Sequence, residues 1–264
     1  MKLEAWAASD IGLVRKSNQD AVGCFPEQRL FVVADGMGGR SEGEVASRIA
    51  VDTLHATLPV DDGRGGRSFW RTLLDGLSGV GESPSDQPDL AGAIALANER
   101  IYTAGQQQIS EEVTQRGTMG TTVVALLCDL AAGRAQWAHV GDSRLYRVRG
   151  GDVALLTADH TLFGEQYWDA DTVPTDLPHT NRLVRALGIA PGVQVTQRAG
   201  ALHVGDLFLL CSDGISGMVA PHELRATLLG AGPLDAAGAT LIRRALDAGG
   251  KDNASALLVR ALDG

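Results

Sequence analysis

Cysteine is scarce in this sequence of 264 residues: Cys24, Cys128 and Cys211 are the only three, and they lie far apart. An odd number of scattered cysteines in apolar surroundings does not make a disulfide framework, and no pair has the spacing of a zinc site. We therefore expect reduced thiols and a cytoplasmic protein.

Long apolar runs are also missing. No stretch approaches the roughly 20 apolar residues that a membrane-spanning helix requires. The N-terminal residues MKLEAWAASD reach an acidic side chain too soon to contain the apolar core of a signal peptide. The sequence therefore predicts neither a membrane span nor a cleaved leader.

Basic runs are missing too, and acidic residues outnumber basic ones. The chain has 23 Lys and Arg against 32 Asp and Glu, which gives a formal net charge of −9. Proteins that bind nucleic acids usually carry a basic patch or stripe, and anionic lipids repel an acidic surface. We expect neither nucleic acid nor a membrane as a partner.

The remaining composition is that of an ordinary globular protein, with 44% hydrophobic and 21% charged residues. At this length the best expectation is one domain that spans residues 1–264. No internal repeat is present, and we expect a monomer.

Strand and helix patterns occur in blocks rather than in regular alternation. The strand patterns are EAWAASDIG, LFVVAD, TTVVALLCDL, AQWAHVGDSRLYRVR, DVALLTAD, VTQRAGAL, DLFLLCSD and NASALLVRAL. The helical patterns are SEGEVASRIAVDTLHATL, FWRTLLDGL, LAGAIALANERIYTAGQQQI, PHELRATLL and PLDAAGATLIRRALDAGG. Gly150 and Gly151 predict a tight hairpin between two strands. Consecutive strands between helical blocks favour an α+β fold with largely antiparallel sheets over a doubly wound fold.

Acidic residues recur at the borders of these strands. LFVVADGMGG carries Asp35, DLFLLCSDG carries Asp213, GGKDNASALLV carries Asp252, and RKSNQD carries Asp20. Acids that converge at one edge of a sheet repel each other unless a cation lies between them. An all-oxygen site without Cys or His favours Mg or Mn. For any one motif alone, a simple Asp-Gly turn is the alternative interpretation.

Gly36 follows Asp35 directly, and three of the next four positions after Asp35 are glycine. Glycine allows unusual backbone angles and a close approach of neighbouring chain. We therefore expect the backbone carbonyl of Gly36 to face a metal ion beside Asp35.

Eight motifs together resemble one known family. In chain order they are RKSNQD, VVADGMGG, GTMGTT, HVGDSRLYRVRGG, LTADHT, NRLVRALG, LLCSDGISGMV and GGKDNAS. This order is similar to that of bacterial metal-dependent serine/threonine protein phosphatases of type 2C, the PPM family, and the resemblance extends from Ala8 to Val259. It implies an α+β fold of two antiparallel β-sheets packed as a sandwich, with helices on both outer faces. It also implies a short flap-like segment at about 161–179.

The resemblance also implies roles for individual residues. Asp35 would bridge two Mn or Mg ions, Gly36 would give its carbonyl to the first, and Asp213 and Asp252 would bind the second. Asp20 resembles the acid that holds metal-bound water molecules. Arg15 resembles the arginine that binds the phosphate of the substrate. Its planar guanidinium can donate hydrogen bonds to two phosphate oxygens at once.

Two positions depart from the family pattern. Met37 stands where animal members often have a histidine that is proposed as the acid for the leaving group. His139 and His160 are weak alternatives for that acid, because a core position for His139 and a solvated loop for His160 are the simpler interpretations; a metal-bound water is a further candidate. Gln115 stands where many bacterial members have an aspartate for a third, labile ion. Gln115 therefore predicts that a third ion is weak or absent. Glu111 and Glu112 lie a helical turn earlier and are candidates to compensate, but a solvated helix end is the simpler interpretation of both.

Two further charged residues, Asp142 and Arg144, are interpreted as structural charges that pair locally along a hairpin strand. The flap-like segment is short, acidic and aromatic, and both a plain surface loop and a substrate filter are consistent with it.

The function implied is hydrolysis of phosphoserine and phosphothreonine by a water molecule that bridges the two ions. The expected partners are phosphorylated proteins and a bacterial Ser/Thr kinase whose action the enzyme opposes. Two alternatives stay open: a pseudophosphatase that acts as a regulatory binding module, and a hydrolase of small phosphate esters. The intact set of acids favours the enzyme.

Overall fold

Two antiparallel sheets form the centre of the computed structural model, which describes residues 1–39, 42–58, 89–111, 119–168, 170, 172–178 and 182–264. Sheet I has the order β1 (Lys2–Asp10), β11 (Ala254–Leu262), β10 (Leu207–Cys211), β7 (Arg144–Arg149) and β8 (Asp152–Leu155). Sheet II has the order β2 (Asp20–Phe25), β3 (Leu30–Met37), β5 (Val123–Asp129), β6 (Arg134–Val140) and β9 (Thr196–Ala201), and β4 (Gly120–Thr121) pairs with β3.

Helices cover the outer faces of both sheets. They are α1 (Glu42–Thr57), α2 (Leu90–Glu111), α3 (Asp213–Ser216), α4 (Pro221–Leu229) and α5 (Leu234–Asp247), and a 3₁₀ turn spans Gly164–Tyr167. None of the helices in the described segments is both long and apolar enough to cross a bilayer.

Alternating side chains of the strands build three apolar layers. In β3, Leu30 and Val32 pack with residues of α1 and α2, whereas Phe31 and Val33 join a cluster shared by both sheets. Residues of β10 and β11 divide in the same way between that shared cluster and a third cluster with α4 and α5. This period of two is the geometry of a strand buried on both faces. The predicted α+β sandwich with helices on both outer faces is therefore confirmed.

The longest strand pair joins the two ends of the described chain. β1 and β11 are antiparallel over nine positions, from Lys2 opposite Leu262 to Asp10 opposite Ala254. The loop that follows β1 therefore begins beside the segment that precedes β11. This pairing brings the RKSNQD and GGKDNAS motifs together.

Two strand predictions need correction. The segment AQWAHVGDSRLYRVR is not one strand, because Gly141 has a φ of +106° and the chain passes there from β6 in sheet II to β7 in sheet I. Strand β2 was not predicted at all. The hairpin at Gly150 and Gly151 is confirmed, with φ values of +58° and +85° between β7 and β8. The predicted helix FWRTLLDGL lies outside the described residues.

Arg144 forms a buried ion pair with Asp159 and not with a neighbour on its own hairpin. Its Nε and Nη2 donate to the two carboxylate oxygens of Asp159 at 2.9 and 2.7 Å. Nη2 also donates to the carbonyl of Leu177 at 2.7 Å, and Nη1 donates to the hydroxyl of Tyr146 at 3.2 Å. The side chains of Arg144 and Asp159 are only 2% and 1% exposed. The interpretation that Arg144 pairs locally is therefore wrong, and its contacts hold the LTADHT motif and residues 172–178 against sheet I.

Candidate metal centre

Sheet II contributes Asp20 and Asp35, which lie directly opposite each other on β2 and β3. The backbone of Asp35 is fixed by the GTMGTT motif. Its carbonyl accepts hydrogen bonds from the Thr122 amide at 2.8 Å and the Thr121 hydroxyl at 2.9 Å. Its amide donates to the Thr122 hydroxyl at 3.1 Å. Both carboxyl groups are thus presented from a rigid strand end.

Sheet I contributes Asp213 and Asp252. Asp213 starts α3 two positions after β10, and Asp252 lies two positions before β11. Since β10 and β11 are antiparallel neighbours, the end of one and the beginning of the other lie at the same edge. Gly214 allows this approach: a Cβ there would lie 1.9 Å from the carbonyl oxygen of Asn253. A side chain at this position would push the two segments apart.

Gly36 serves a close contact and not an unusual backbone angle. Its φ lies outside the left-handed region, so the expectation of unusual angles is wrong. A Cβ at Gly36 would lie 2.1 Å from the carbonyl oxygen of Gly43 and 2.5 Å from that of Gln19. The glycine therefore lets the first turn of α1 pack directly on the strand end that carries Asp35.

The carboxyl groups from the two sheets influence each other electrostatically. Burial, followed by the charges of Asp20 and Asp213, raises the pKa of Asp35 well above its usual value. Burial raises the pKa of Asp20 to about 7, with smaller contributions from Asp213 and Asp252. Burial and the charge of Asp252 also raise the pKa of Asp213. The four acids predicted from the sequence thus lie close enough together to influence one another, and in Asp20, Asp35 and Asp213 the charged form is disfavoured.

Asp142 is a fifth acid in this group, and the sequence analysis missed it. It is buried, and burial together with the charge of Asp213 raises its pKa to about 7. The available signal was the one used for the other acids, since Asp142 follows the apolar strand β6 by two positions. The HVGDSR motif therefore contributes a charge to the site as well as the structural Arg144.

Two carboxylate oxygens of the group lack a hydrogen-bond partner. The Oδ2 atom of Asp20 accepts from the hydroxyls of Ser212 and Ser255 at 2.8 and 2.6 Å. Its Oδ1 atom and the Oδ1 atom of Asp213 are buried, and neither has a partner among the described residues. Buried oxygens without partners are costly, and a cation together with its bound water would satisfy both.

Arg15 lies at the rim of the acidic group. Its Nη2 donates to Oδ2 of Asp252 at 2.5 Å, and the guanidinium side chain is 54% exposed. The hydrogen bond to Asp252 raises the pKa of Arg15. The structure therefore brings together Asp20, Asp35, Asp213, Asp252 and Arg15, with Arg15 reaching the group from the solvent side.

The acids fit a divalent cation by their chemistry. Within the described part of the chain, no three His, Cys, Asp or Glu side chains are already grouped closely enough to hold a metal ion, and the cation that Asp252 contacts is Arg15. The donors are nevertheless all oxygen, two of them are buried without partners, and the charges repel each other. These are the conditions that a hard cation relieves.

Asn253 holds the loop that carries Arg15. Its Oδ1 accepts from the amide of Gln19 at 2.8 Å, and its Nδ2 donates to the carbonyls of Ile11 and Ser17 at 2.9 and 3.0 Å. The loop between β1 and β2 is thereby tied at three points to the segment that carries Asp252. The KDN motif thus positions two functional residues.

His139 and His160 are stacked in the core, with ring centroids 4.5 Å apart. Both are buried, so the core position of His139 is confirmed and the solvated position of His160 is wrong. Burial lowers the pKa of His139 to about 4 and that of His160 to about 2. Nδ1 of His160 accepts a hydrogen bond from the Gly141 amide at 3.1 Å. Neither ring carries the extra proton at neutral pH, so neither is a suitable general acid.

Gln115 and Glu112 lie outside the described residues. The expectation that the third ion is weak or absent therefore stays a prediction. The flap-like segment is described at 161–168, 170 and 172–178. There, Trp168 donates from Nε1 to the carbonyl of Asp159 at 2.9 Å, and the guanidinium of Arg185 lies 3.9 Å from the centre of the Trp168 ring.

Comparisons with known proteins identify one family. The profile described as Protein phosphatase 2C matches residues 14–263. Protein phosphatase PhpP of Streptococcus pneumoniae is 31% identical over 263 residues, which cover 97% of each chain. The structure of the serine/threonine phosphatase PstP/Ppp of Mycobacterium tuberculosis has a TM-score of 0.77, 30% identity and 100% coverage of both chains. The catalytic domain of the serine/threonine protein phosphatase PstP, in complex with two manganese ions, has a TM-score of 0.73, 29% identity and 99% coverage of both chains.

The chain belongs to the protein phosphatase 2C family. The predicted family is therefore confirmed, and so is the prediction of an enzyme of the serine/threonine phosphatase class. A relative with the same fold holds two manganese ions.

Proposed function

We propose that the protein acts as a monomer in the cytoplasm, where it hydrolyses phosphoserine and phosphothreonine on proteins and opposes a bacterial Ser/Thr kinase. The observation that carries the proposal is the convergence of acids from both sheets beside a partly exposed arginine. A phosphate monoester is an anion, and this arrangement can hold cations and a phosphate next to each other.

In this proposal Asp35 would serve both of two Mn or Mg ions, the carbonyl of Gly36 would contribute to the first, and Asp213 and Asp252 would hold the second. When bound, such ions offset the charge of the phosphate and acidify water. The chain itself orients the other participants. The hydroxyls of Ser212 and Ser255 hold Asp20 by Oδ2, which leaves its Oδ1 free to accept a hydrogen bond from water in the site.

Arg15 is the phosphate-binding residue in this proposal. Its guanidinium is planar and can donate two parallel hydrogen bonds to phosphate oxygens, which a lysine cannot do. Its contact with Asp252 and the anchoring of its loop by Asn253 fix the side chain at the rim. The ion pair with Asp252 therefore places the proposed phosphate-binding group next to the acids, while Arg15 itself stays at the solvent-exposed rim.

The Arg15→Ala variant should raise KM for phosphopeptides by about ten- to a hundredfold, since a charge-assisted hydrogen bond contributes about 1.5–3 kcal/mol. Its affinity for Mn should not fall, because the guanidinium no longer competes for Asp252. Steady-state kinetics and Mn calorimetry measure both quantities. Lys16→Ala, which removes the neighbouring exposed cation, is the matched control. An unchanged kcat/KM in Arg15→Ala would exclude Arg15 from the phosphate site.

The decisive assay measures hydrolysis of a phosphothreonine peptide and of para-nitrophenyl phosphate, each with and without Mn. The proposal expects Mn-dependent turnover of both. A pseudophosphatase would bind the phosphopeptide without turnover. A hydrolase of small esters would use para-nitrophenyl phosphate and leave the peptide unchanged, so the same experiment separates the three functions.

Gln115→Asp should strengthen Mn binding and raise turnover at moderate Mn. The wild type offers a neutral amide at this position, and a hard dication binds a carboxylate more tightly. We therefore expect two well-occupied ions and a third that is absent or binds only at high Mn. Mn titrations of both proteins, by calorimetry and by rate, measure the difference. Superimposable titration curves, or three full sites in the wild type at low Mn, would contradict the prediction.

A further inference from the structure

An apolar ledge lies directly before Arg15 in the chain. The ledge consists of Ile11, Leu13 and Val14, whose residues are 39%, 68% and 64% exposed. Leu13 and Val14 are the most exposed large hydrophobic residues in the described part of the chain. Single exposed aliphatic residues are common on protein surfaces, but adjacent ones beside a functional group call for an explanation.

Hydrogen bonds of the backbone hold the loop that carries the ledge in place. The amide of Leu13 donates to the carbonyl of Gly250 at 2.7 Å, and the Ile11 carbonyl accepts from Asn253 at 2.9 Å. Gly12 has a φ of +79°, and its amide donates to Oδ1 of Asp10 at 2.8 Å. Several hydrogen bonds therefore hold this loop in a conformation that leaves the aliphatic side chains exposed to solvent.

Glycines beneath the ledge leave room for Leu13. A Cβ on Gly250 would lie 2.8 Å from Cγ of Leu13, and Gly250 has a φ of +49°. A Cβ on Gly249 would lie 3.9 Å from the methyl of Met218 and from the Lys251 stem.

We propose that Leu13 and Val14 form a subsite for an apolar side chain next to the phosphorylated residue of a protein substrate. The inference rests on the proposed function, because it takes Arg15 as the phosphate-binding residue. Leu13 and Val14 precede Arg15 by two and one positions. Residues that flank a phosphate bound by Arg15 would therefore lie within reach of these exposed side chains.

Other occupants of the ledge agree less well with its size and charge. A second copy of the chain would need about 800 Å² of buried surface on each partner, and a few side chains offer much less. An anionic lipid surface would meet the group of acids beside the ledge and a chain with a net charge of −9.

The test compares two phosphothreonine peptides that differ only in the residues on either side of the phosphothreonine. One has leucines there and the other has serines. Wild type should prefer the leucine peptide in kcat/KM by about five- to twentyfold, the range expected for partly burying one aliphatic side chain. The double variant Leu13→Ser/Val14→Ser should reduce this preference to below twofold. An equal preference in wild type and double variant would overturn the proposal.

Val204→Ser is the matched control, since Val204 is 54% exposed and precedes β10 at the end opposite Asp213. It should keep the wild-type preference. Sedimentation at assay concentration tests whether a second copy covers the ledge, and we expect a monomer. A dimer that is lost in the double variant would also overturn the proposal. If no phosphoester is hydrolysed, the proposed function fails. Fluorescence anisotropy then measures the affinity of the wild type for each of the two peptides. Equal affinities would reject the proposal that the ledge binds an apolar side chain.

Discussion

Asp35→Asn should reduce Mn-dependent hydrolysis by on the order of 10³-fold or more, because one carboxylate is proposed to serve both ions. An amide keeps the shape of the side chain and the backbone contacts with Thr121 and Thr122, so the fold should persist. Turnover of a phosphopeptide and circular dichroism measure the two expectations. Asp152→Asn, which alters the exposed acid at the hairpin of β7 and β8, should keep wild-type activity. Near-native turnover in Asp35→Asn would show that the site is assigned wrongly.

The same variant should be more stable than wild type when a chelator removes metal ions. The pKa of Asp35 and Asp20 is raised in the folded state, to about 7 for Asp20. The folded protein thus binds protons more tightly than the unfolded chain, so its stability falls as the pH rises from about 4 to about 7. For Asp35 the loss of stability continues up to its own raised pKa, and asparagine at position 35 removes that part of the loss. Thermal unfolding with chelator at about pH 5 and about pH 8 tests whether the wild type loses stability as the pH rises and whether Asp35→Asn loses less.

Arg144→Ala should lower the free energy of unfolding by about 3–5 kcal/mol, because it leaves the carboxylate of Asp159 buried without its partner. It also removes the donors to Leu177 and Tyr146. Urea unfolding measures the loss. Arg48→Ala breaks an exposed pair with Glu44 on α1 and should cost at most about 0.5 kcal/mol.

A double-mutant cycle tests whether the buried pair is the cause. Arg144→Ala/Asp159→Ala should be destabilised by less than the sum of the two single variants, since no charge is then left without a partner. Simple additivity would contradict this account, and so would a loss below about 1 kcal/mol in Arg144→Ala.

The sequence predicted the fold class and the four acids because both depend on short-range patterns. Continuous apolar runs define β3 and β10, and an acid follows each run within two positions. Antiparallel neighbours then place Asp213 and Asp252 at one edge of sheet I. The local glycine pattern suggested the role of Gly36, and the eight motifs in family order added the role of Arg15, which no local pattern supplies.

The errors concern residues whose partners are distant in the chain. Arg144 was assigned a local partner because charges near each other in sequence often pair, but the chain changes sheets at Gly141. That crossover places Asp142 near Asp213 and the other acids of the candidate site, and it places Arg144 next to Asp159. His160 was placed in solvent because it follows a strand in a polar stretch, whereas stacking on His139 buries it. Such partners depend on tertiary packing, which a single sequence does not reveal.

The pairing of β1 with β11 bears on how the enzyme matures. Of the described strands, a ribosome makes β1 first and β11 last, and the bond from Asn253 to Ile11 spans 242 positions. The Arg15 loop therefore lacks its anchor until nearly the whole chain has emerged. Contacts of such high sequence separation carry a large loop-closure cost. The anchor of the Arg15 loop therefore depends on the same long-range pairing of β1 with β11 that completes sheet I.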